Sequence, residues 1–229
     1  MPPRPPTPKP QKKKDPLWIP RAEVSEAVRG TQRAFQIHIC IAMGLISAAS
    51  APITPPTRYK ENFAVRFQTE ADFSSVVRNL GQFPTHQSHK KRIQAARIYF
   101  YNHAATGNSL DKDVAMVEDL SLTIFYTTMD QYGFKSWCPD LSESSSSLYN
   151  NCHQTLAIDS FQQACVMGGY RRFSVNPEYY NSTTVLAQIY DSYVFRTIKD
   201  KSRKEARDPG ALERRKESNN TGKRRHTVR

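Results

Sequence analysis

The chain has 229 residues, a formal net charge of +12 from 33 basic and 21 acidic side chains, 10% aromatic residues, nine glycines and four cysteines. The length suits one domain with tails, the aromatic content argues against disorder throughout, and the scarcity of glycine disfavours a glycine-punctuated β-sandwich or a dinucleotide-binding fold. The composition also excludes a collagen, a disulfide-rich scaffold and a protein with several membrane spans.

The excess positive charge lies at the two ends of the chain. Residues 1–16 contain five basic side chains and one acidic one, and residues 199–229 contain twelve basic and five acidic ones, which leaves residues 17–198 close to neutral. Seven prolines in 1–16 favour an extended arm, because proline lacks an N–H and fixes φ. We predict a disordered Pro/Lys-rich arm over 1–16, a helical body over 17–198, and a basic, partly disordered tail over 199–229.

In the first half of the body, helices are separated by proline and glycine. The sequence predicts one helix over 21–50 and a short one over 58–68. Thr69 is placed to begin a third, with Asp72 three residues later as in a capping box. A further helix is predicted over 87–106.

The second half of the body continues the helical pattern. A helix is predicted over 109–132, although residues 120–128 are β-branched and aromatic enough to form a strand instead. Residues 134–147 are expected to form a mobile surface loop, followed by a helix over 148–167 and another that begins at Pro177. The sequence therefore predicts an all-α fold, with a single helical body of about six to seven helices and extended basic N- and C-terminal arms.

The apolar run over 34–51 is the one candidate for contact with a membrane. Gln36, His38, Ser47 and Ser50 interrupt it, and it falls short of the roughly 20 apolar residues that a membrane span needs. We expect a helix that is buried on most sides. A membrane-associated protein that inserts this run is the weakest of the alternatives.

The cysteines favour buried free thiols over a metal centre. Cys138, Cys152, His153 and Cys165 resemble a zinc ligand set in type, but structural zinc sites take their ligands in close pairs such as Cys-x-x-Cys, which the chain lacks. We therefore expect no metal and no cofactor.

No pattern of catalytic residues is present in the sequence. There is no Gly-rich phosphate loop, no Gly-x-Ser-x-Gly and no His-Glu-x-x-His. Cys152 and His153 are adjacent, so on a helix they point in different directions and do not form a dyad. The acidic residues between 111 and 119 suit a helix N-terminus, where carboxylates interact favourably with the dipole. We expect the protein not to be an enzyme.

One basic cluster lies at the start of the predicted helix over 87–106. Lys90, Lys91 and Arg92 are consecutive, and Arg97 follows on the same face as Lys90. Cations at a helix N-terminus oppose the dipole unless an anion lies there, which favours phosphate contact. A solvated charged face is the alternative explanation.

A second cluster follows the glycine pair at 168–169. Arg171 and Arg172 stand between Tyr170 and Phe173, a combination that suits phosphate contact together with base stacking. Alternatively, the two aromatic residues belong to the core.

The two ends add further candidate residues. The arm contributes Lys12, Lys13 and Lys14, and the tail contributes Lys223, Arg224 and Arg225. Basic arms bind polyanions through release of counterions, so these residues suit salt-sensitive binding to nucleic acid. The same residues are typical of a nuclear import signal.

This layout of basic arms around a neutral helical body resembles helical nucleocapsid and filament-coat proteins, in architecture rather than in any motif. In such proteins the arms link subunits and a groove binds the RNA backbone without reading its sequence. The resemblance implies a non-enzymatic, self-assembling protein that binds nucleic acid, with RNA favoured over DNA, as a homo-oligomer and without a small-molecule substrate.

The alternative is a helical protein–protein interaction domain whose tails act as import or docking signals. In both cases the proline-rich start offers no secretory signal, so we expect a virion or intracellular protein that is not secreted.

Overall fold

A computed structural model describes residues 26–45, 50–78, 91, 93–98 and 109–227. Every regular element in these residues is a helix, so the predicted all-α fold is confirmed. The predicted arm over 1–16 lies outside the described residues.

The helices follow one another in chain order with short connections. The first half contains α1 (Glu26–Ala42), α2 (Thr57–Arg66), α3 (Glu70–Arg78) and α4 (residues 93–98). The second half contains α5 (Ser109–Ala115), α6 (Asp119–Gln131), α7 (Leu148–Val166), α8 (Pro177–Tyr180), α9 (Thr183–Asp191), α10 (Lys199–Arg207) and α11 (Ala211–Thr227). A 3₁₀ turn (Arg171–Phe173) precedes α8, and a π-helical segment (Ser192–Ile198) joins α9 to α10.

Helices α1 and α7 form the centre of the molecule. Their buried residues include Phe35, Ile37 and Ile39 on α1, and Leu156 and Phe161 on α7. Helix α6 packs along α7, and α9 packs against both central helices. Because α7 is apolar or small around most of its circumference, it is surrounded by protein on nearly all sides.

Helix α1 ends earlier than the sequence predicts. Gly44 adopts a left-handed φ of 68°, and the Leu45 N–H donates to the Cys40 carbonyl at 2.7 Å. This arrangement satisfies the last carbonyls of the helix, so it ends at Ala42 instead of continuing to residue 50. The part of the apolar run that the structure describes as helix α1 and its C-terminal turn, residues 34–45, is largely buried in the core, as expected.

Two predicted helices are each divided in two. The helix predicted over 109–132 is interrupted between Ala115 and Asp119, and residues 120–128 are helical in α6 and not a strand. The helix predicted from Pro177 stops at Tyr180 and restarts at Thr183, where the Ser182 hydroxyl accepts from the Val185 N–H at 3.4 Å. The structure therefore has more helices than predicted.

The first half of the loop over 134–147 is largely buried, so the expectation of a surface loop is wrong for residues 134–140. The Trp137 indole N–H donates to the His153 carbonyl at 2.8 Å, and Asp140 accepts an ion pair from Lys60 at 2.7 Å. These polar contacts, together with burial of the Trp137 ring, hold the loop against α7.

The tail region contains two helices where the sequence predicts partial disorder. The region 199–227 forms α10 and α11, joined by a turn at residues 208–210. Leu212 is buried, and α11 packs against α10. Helical order therefore continues beyond the predicted end of the body at residue 198.

Candidate nucleic-acid interface

Several of the predicted phosphate-binding residues lie outside the part of the chain whose side chains are described. This group comprises Lys12, Lys13, Lys14, Lys90, Arg92, Lys223, Arg224 and Arg225. The backbone places the last three of them in the C-terminal turns of α11. Lys91 is helical and exposed.

Arg97 and Arg171 meet at the junction between α5 and α6. The Arg97 guanidinium pairs with Asp119 and donates to the carbonyls of Val117 and Ala115, where α5 ends. The Arg171 guanidinium donates through two nitrogens to Glu118, at 3.2 and 3.3 Å. The structure thus brings together parts of two clusters that are distant in the sequence.

These two arginines differ in their availability to a ligand. Arg97 is mostly covered and closes the C-terminal end of α5, so its charge serves the fold. Arg171 is 73% exposed, so solvent screens its ion pair with Glu118 and the pair contributes little to stability. Its neighbour Arg172 is exposed and makes no ion pair within the described chain. Arg171 and Arg172 are therefore the accessible cations of the second cluster.

Tyr170 belongs to the core and is not available for base stacking. It is buried, and its hydroxyl lies 2.7 Å from His38 Nδ1. The other ring nitrogen of His38 lies 2.9 Å from the Ser160 hydroxyl, which itself donates to the Leu156 carbonyl. Since the Ser160 proton is engaged, His38 Nε2 donates to Ser160, and Tyr170 donates to Nδ1. Burial lowers the pKa of His38 to about 3, so this network is neutral.

A basic groove, here called the α10–α11 groove, lies between α11 and the surface formed by α10 and the end of the π-helical segment. It has a volume of about 460 Å³, and five cations and one carboxylate are among the described residues that line it. The cations are Arg196, Lys201, Lys204, Arg215 and Lys216, and the carboxylate is Asp200. Lys201, Lys204 and Arg215 make no ion pair within the described chain. The arrangement concentrates positive charge in a concave surface, which attracts anions.

The groove depends on a tight turn between α10 and α11. Gly210 adopts a left-handed φ of 83°, which a residue with a side chain disfavours. The Glu205 carboxylate accepts from the N–H groups of Gly210 at 2.6 Å and Leu212 at 3.1 Å, and so caps the start of α11. Arg214 pairs with Asp208 across the same turn.

The residues of this groove are not among those predicted from the sequence to bind phosphate. The predicted residues of the tail are the run at 223–225, because consecutive cations are conspicuous in a sequence. The informative signal was the Asp208-Pro209-Gly210 break between two charged stretches of helical length, which is typical of a helix–turn–helix hairpin. Such a hairpin brings together basic residues that are more than ten positions apart.

The described sulfur and imidazole groups lie apart from one another as potential metal ligands. All four cysteines are free and buried. Among the described residues, no three His, Cys, Asp or Glu side chains are grouped as metal ligands, and this includes Cys138, Cys152, His153 and Cys165. Burial raises the pKa of the thiols of Cys152 and Cys165 to about 12, which leaves them protonated and poorly nucleophilic.

The acidic residues around the start of α6 take part in ion pairs instead. Asp113 accepts from Arg33 at 2.8 Å, Glu118 pairs with Arg171, and Asp119 pairs with Arg97.

No helix among the described residues is long and apolar enough to cross a membrane.

In comparisons with known proteins, no family model, curated protein or solved structure matches the chain significantly.

Proposed function

We propose that this protein is a non-enzymatic, self-assembling protein that binds nucleic acid without reading its sequence, of the nucleocapsid or coat type, and that the α10–α11 groove holds the phosphate backbone. The groove is the observation that carries the proposal, because five cations line it with a single carboxylate. Phosphate contacts supply most of the affinity in sequence-independent binding. RNA is the favoured ligand on the architectural resemblance, with DNA as a comparison.

Other features of the molecule support this function. Arg171 and Arg172 add exposed cations on the 3₁₀ turn, and the sequence of α11 has three further basic residues near its end, at 223–225. Val166 and Met167, at the end of α7, are 68% and 59% exposed, which offers an apolar contact for a neighbouring subunit.

The test measures binding of a single-stranded RNA oligonucleotide to three proteins. The first is the unchanged chain, and the second carries Lys201→Gln, Lys204→Gln and Arg215→Gln in the groove. The third carries Arg58→Gln, Arg78→Gln and Lys112→Gln, which remove the same charge from exposed positions outside the groove. The control separates contact with the groove from the general effect of net charge.

The groove variant is expected to bind at least about tenfold more weakly than the control variant. Its plot of log affinity against log salt concentration is expected to be shallower by about two, because each single-strand phosphate contact contributes about 0.7 to the slope. Scrambling the RNA sequence is expected to change the affinity little. An equal loss of RNA affinity in both variants would mean that the groove is not the binding site. If the unchanged chain does not retain RNA at low salt, the proposal itself is overturned.

The competing function is a helical protein–protein interaction domain with docking or import signals in its tails. It is favoured by the engagement of Arg97 and Arg171 with Asp119 and Glu118, which neutralises part of the predicted interface. A protein of this kind would bind RNA no more tightly than its net charge alone requires, so both charge-reduced variants would behave alike.

A further inference from the structure

A second, smaller pocket lies between α2 and the turn that follows α6. Its volume is about 80 Å³, and aromatic rings including Phe63 and Phe134 form its apolar wall. Arg66 and Lys135 are the charged side chains among its described lining residues, and none of those residues is acidic. The pocket shares no lining residue with the α10–α11 groove, so it is a separate feature of the molecule.

The guanidinium of Arg66 occupies the space that a side chain at position 133 would fill, and this space is open because residue 133 is glycine. A Cβ atom at Gly133 would lie 1.3 Å from Nη1 of Arg66, and the glycine has a left-handed φ of 74°. The guanidinium therefore lies directly against the turn, with its central carbon 4.8 Å from the centroid of the Phe67 ring. The turn and the ring fix the position of the cation.

Among the described residues Arg66 has no counter-ion, whereas Lys60 on the same helix has two. Lys60 pairs with both Asp140 and Glu143. Within the described chain, Arg66 makes no ion pair, and partial burial lowers the pKa of its guanidinium. Lys135, which follows the turn, is likewise exposed and without an ion pair in the described chain. A positioned cation without a carboxylate partner is typical of a site for an external anion.

We propose that this pocket binds one phosphate group, with Arg66 and Lys135 providing the charge and Asn62 and Ser136 providing neutral hydrogen-bond donors. The volume is that of a few water molecules, which suits a single tetrahedral oxyanion. Two cations match the two negative charges of a phosphate monoester better than the single charge of a diester. The assigned ligand is therefore a free phosphate or a terminal phosphomonoester, and not a backbone phosphate.

The test follows the thermal unfolding midpoint of the full-length chain with inorganic phosphate, glycerol 3-phosphate or dimethyl phosphate, against chloride at equal ionic strength. A ligand that binds only the folded state raises the midpoint in a saturable way. Each variant is compared with itself without ligand, so a change in its own stability does not affect the result. Arg66→Gln and Lys135→Gln are the test variants, and Arg58→Gln and Lys112→Gln are controls at exposed positions outside the pocket.

We expect saturable stabilisation by phosphate and glycerol 3-phosphate, with at least about tenfold weaker binding of dimethyl phosphate. Arg66→Gln is expected to abolish the effect and Lys135→Gln to weaken it at least about fivefold, whereas both controls keep it. Absence of saturation, or equal binding in Arg66→Gln and Arg58→Gln, would overturn the proposal. Equal affinity for the diester would overturn the assignment to a monoester.

The triple groove variant, with Gln at 201, 204 and 215, separates this site from the proposed RNA groove. Phosphate binding is expected to persist unchanged in that variant. Loss of phosphate binding there would mean that the groove is the phosphate site and would overturn the pocket assignment. The result is independent of RNA binding, so the pocket can fail while the proposed function stands, and the reverse.

Discussion

His153 is a fully buried, neutral side chain whose ring packs among those of Phe134, Trp137 and Tyr149. Its Nδ1–H donates to the Tyr149 carbonyl at 2.8 Å, whereas Nε2 has no hydrogen-bond partner among the described residues. Burial lowers the pKa of His153 from 6.5 to about 4. The side chain therefore stabilises the core through its ring and not through charge.

The buried imidazole makes the free energy of unfolding depend on pH. Between pH 6.5 and pH 4 the unfolded chain binds a proton at residue 153 that the folded chain does not, so acidification favours unfolding. We predict that His153→Phe removes a slope of about 1.4 kcal/mol per pH unit in this window and changes stability little at pH 7.5.

Urea unfolding of both proteins at pH 7.5, 6.0 and 5.0 measures this effect. The contribution of His38 is common to both proteins and cancels in the difference. Parallel stability curves for the two proteins would contradict the assignment of a buried, neutral His153.

At the scale of elements, Gly30 allows the closest approach between α1 and the 3₁₀ turn. A Cβ atom at position 30 would lie 2.4 Å from the Ser174 carbonyl oxygen and 2.5 Å from that of Phe173. Both are backbone atoms, so they cannot be avoided by a change of rotamer. The glycine is thus required by packing, although it weakens the helix intrinsically.

Helix propensity and packing make opposite predictions for Gly30→Ala. Propensity alone would stabilise the chain by about 1 kcal/mol. We predict instead a destabilisation of about 1–3 kcal/mol, because the added methyl group displaces the turn that carries Arg171 and Arg172. Denaturant unfolding measures the change, with Arg29→Ala, at an exposed position of α1, as the control that should remain within about 0.5 kcal/mol. A stabilised Gly30→Ala protein would show that the two elements are not in contact.

The Glu205 cap links the formation of α11 to the proposed RNA groove. Glu205→Ala removes a negative charge, which would strengthen RNA binding by electrostatics alone. We predict weaker binding, because loss of a helix cap costs about 1–2 kcal/mol and frays the start of α11. Circular dichroism and RNA titration measure the helicity and the affinity.

Glu217→Ala is the matched control for this prediction. It removes the same charge from an exposed position of α11 that does not cap the helix, and it should bind RNA at least as tightly as the unchanged chain. An equal gain in affinity for both variants would mean that the cap plays no part in binding.

Features that depend on contacts within one helical turn were predictable from the sequence, whereas features that depend on contacts between distant residues were not. The start of α3 was predictable because the Thr69 N–H donates to Asp72 at 2.8 Å and the Asp72 N–H to the Thr69 hydroxyl at 3.3 Å, contacts within one turn. The burial of Trp137 was not, since it depends on a carbonyl of α7 sixteen residues away. Loop composition alone suggested a surface position.

At the scale of the whole molecule, the distribution of charge was predictable but its arrangement was not. Counting residues located the excess charge at the ends of the chain. The sequence did not reveal that Glu118 and Asp119 engage Arg171 and Arg97, because these contacts join residues 53 and 22 positions apart. The α10–α11 groove was not predicted for the same reason: its cations are visible in the sequence, but only the fold brings them together.

Size-exclusion chromatography of the purified chain at low salt and at about 1 M salt, with the 260/280 nm absorbance ratio recorded across each peak, tests whether the protein assembles on nucleic acid. Charge contacts are strongly screened at the higher salt concentration. We predict particles of high mass and high absorbance ratio at low salt that separate into protein and nucleic acid at high salt. A monomer or dimer free of nucleic acid in both buffers would contradict the proposed function.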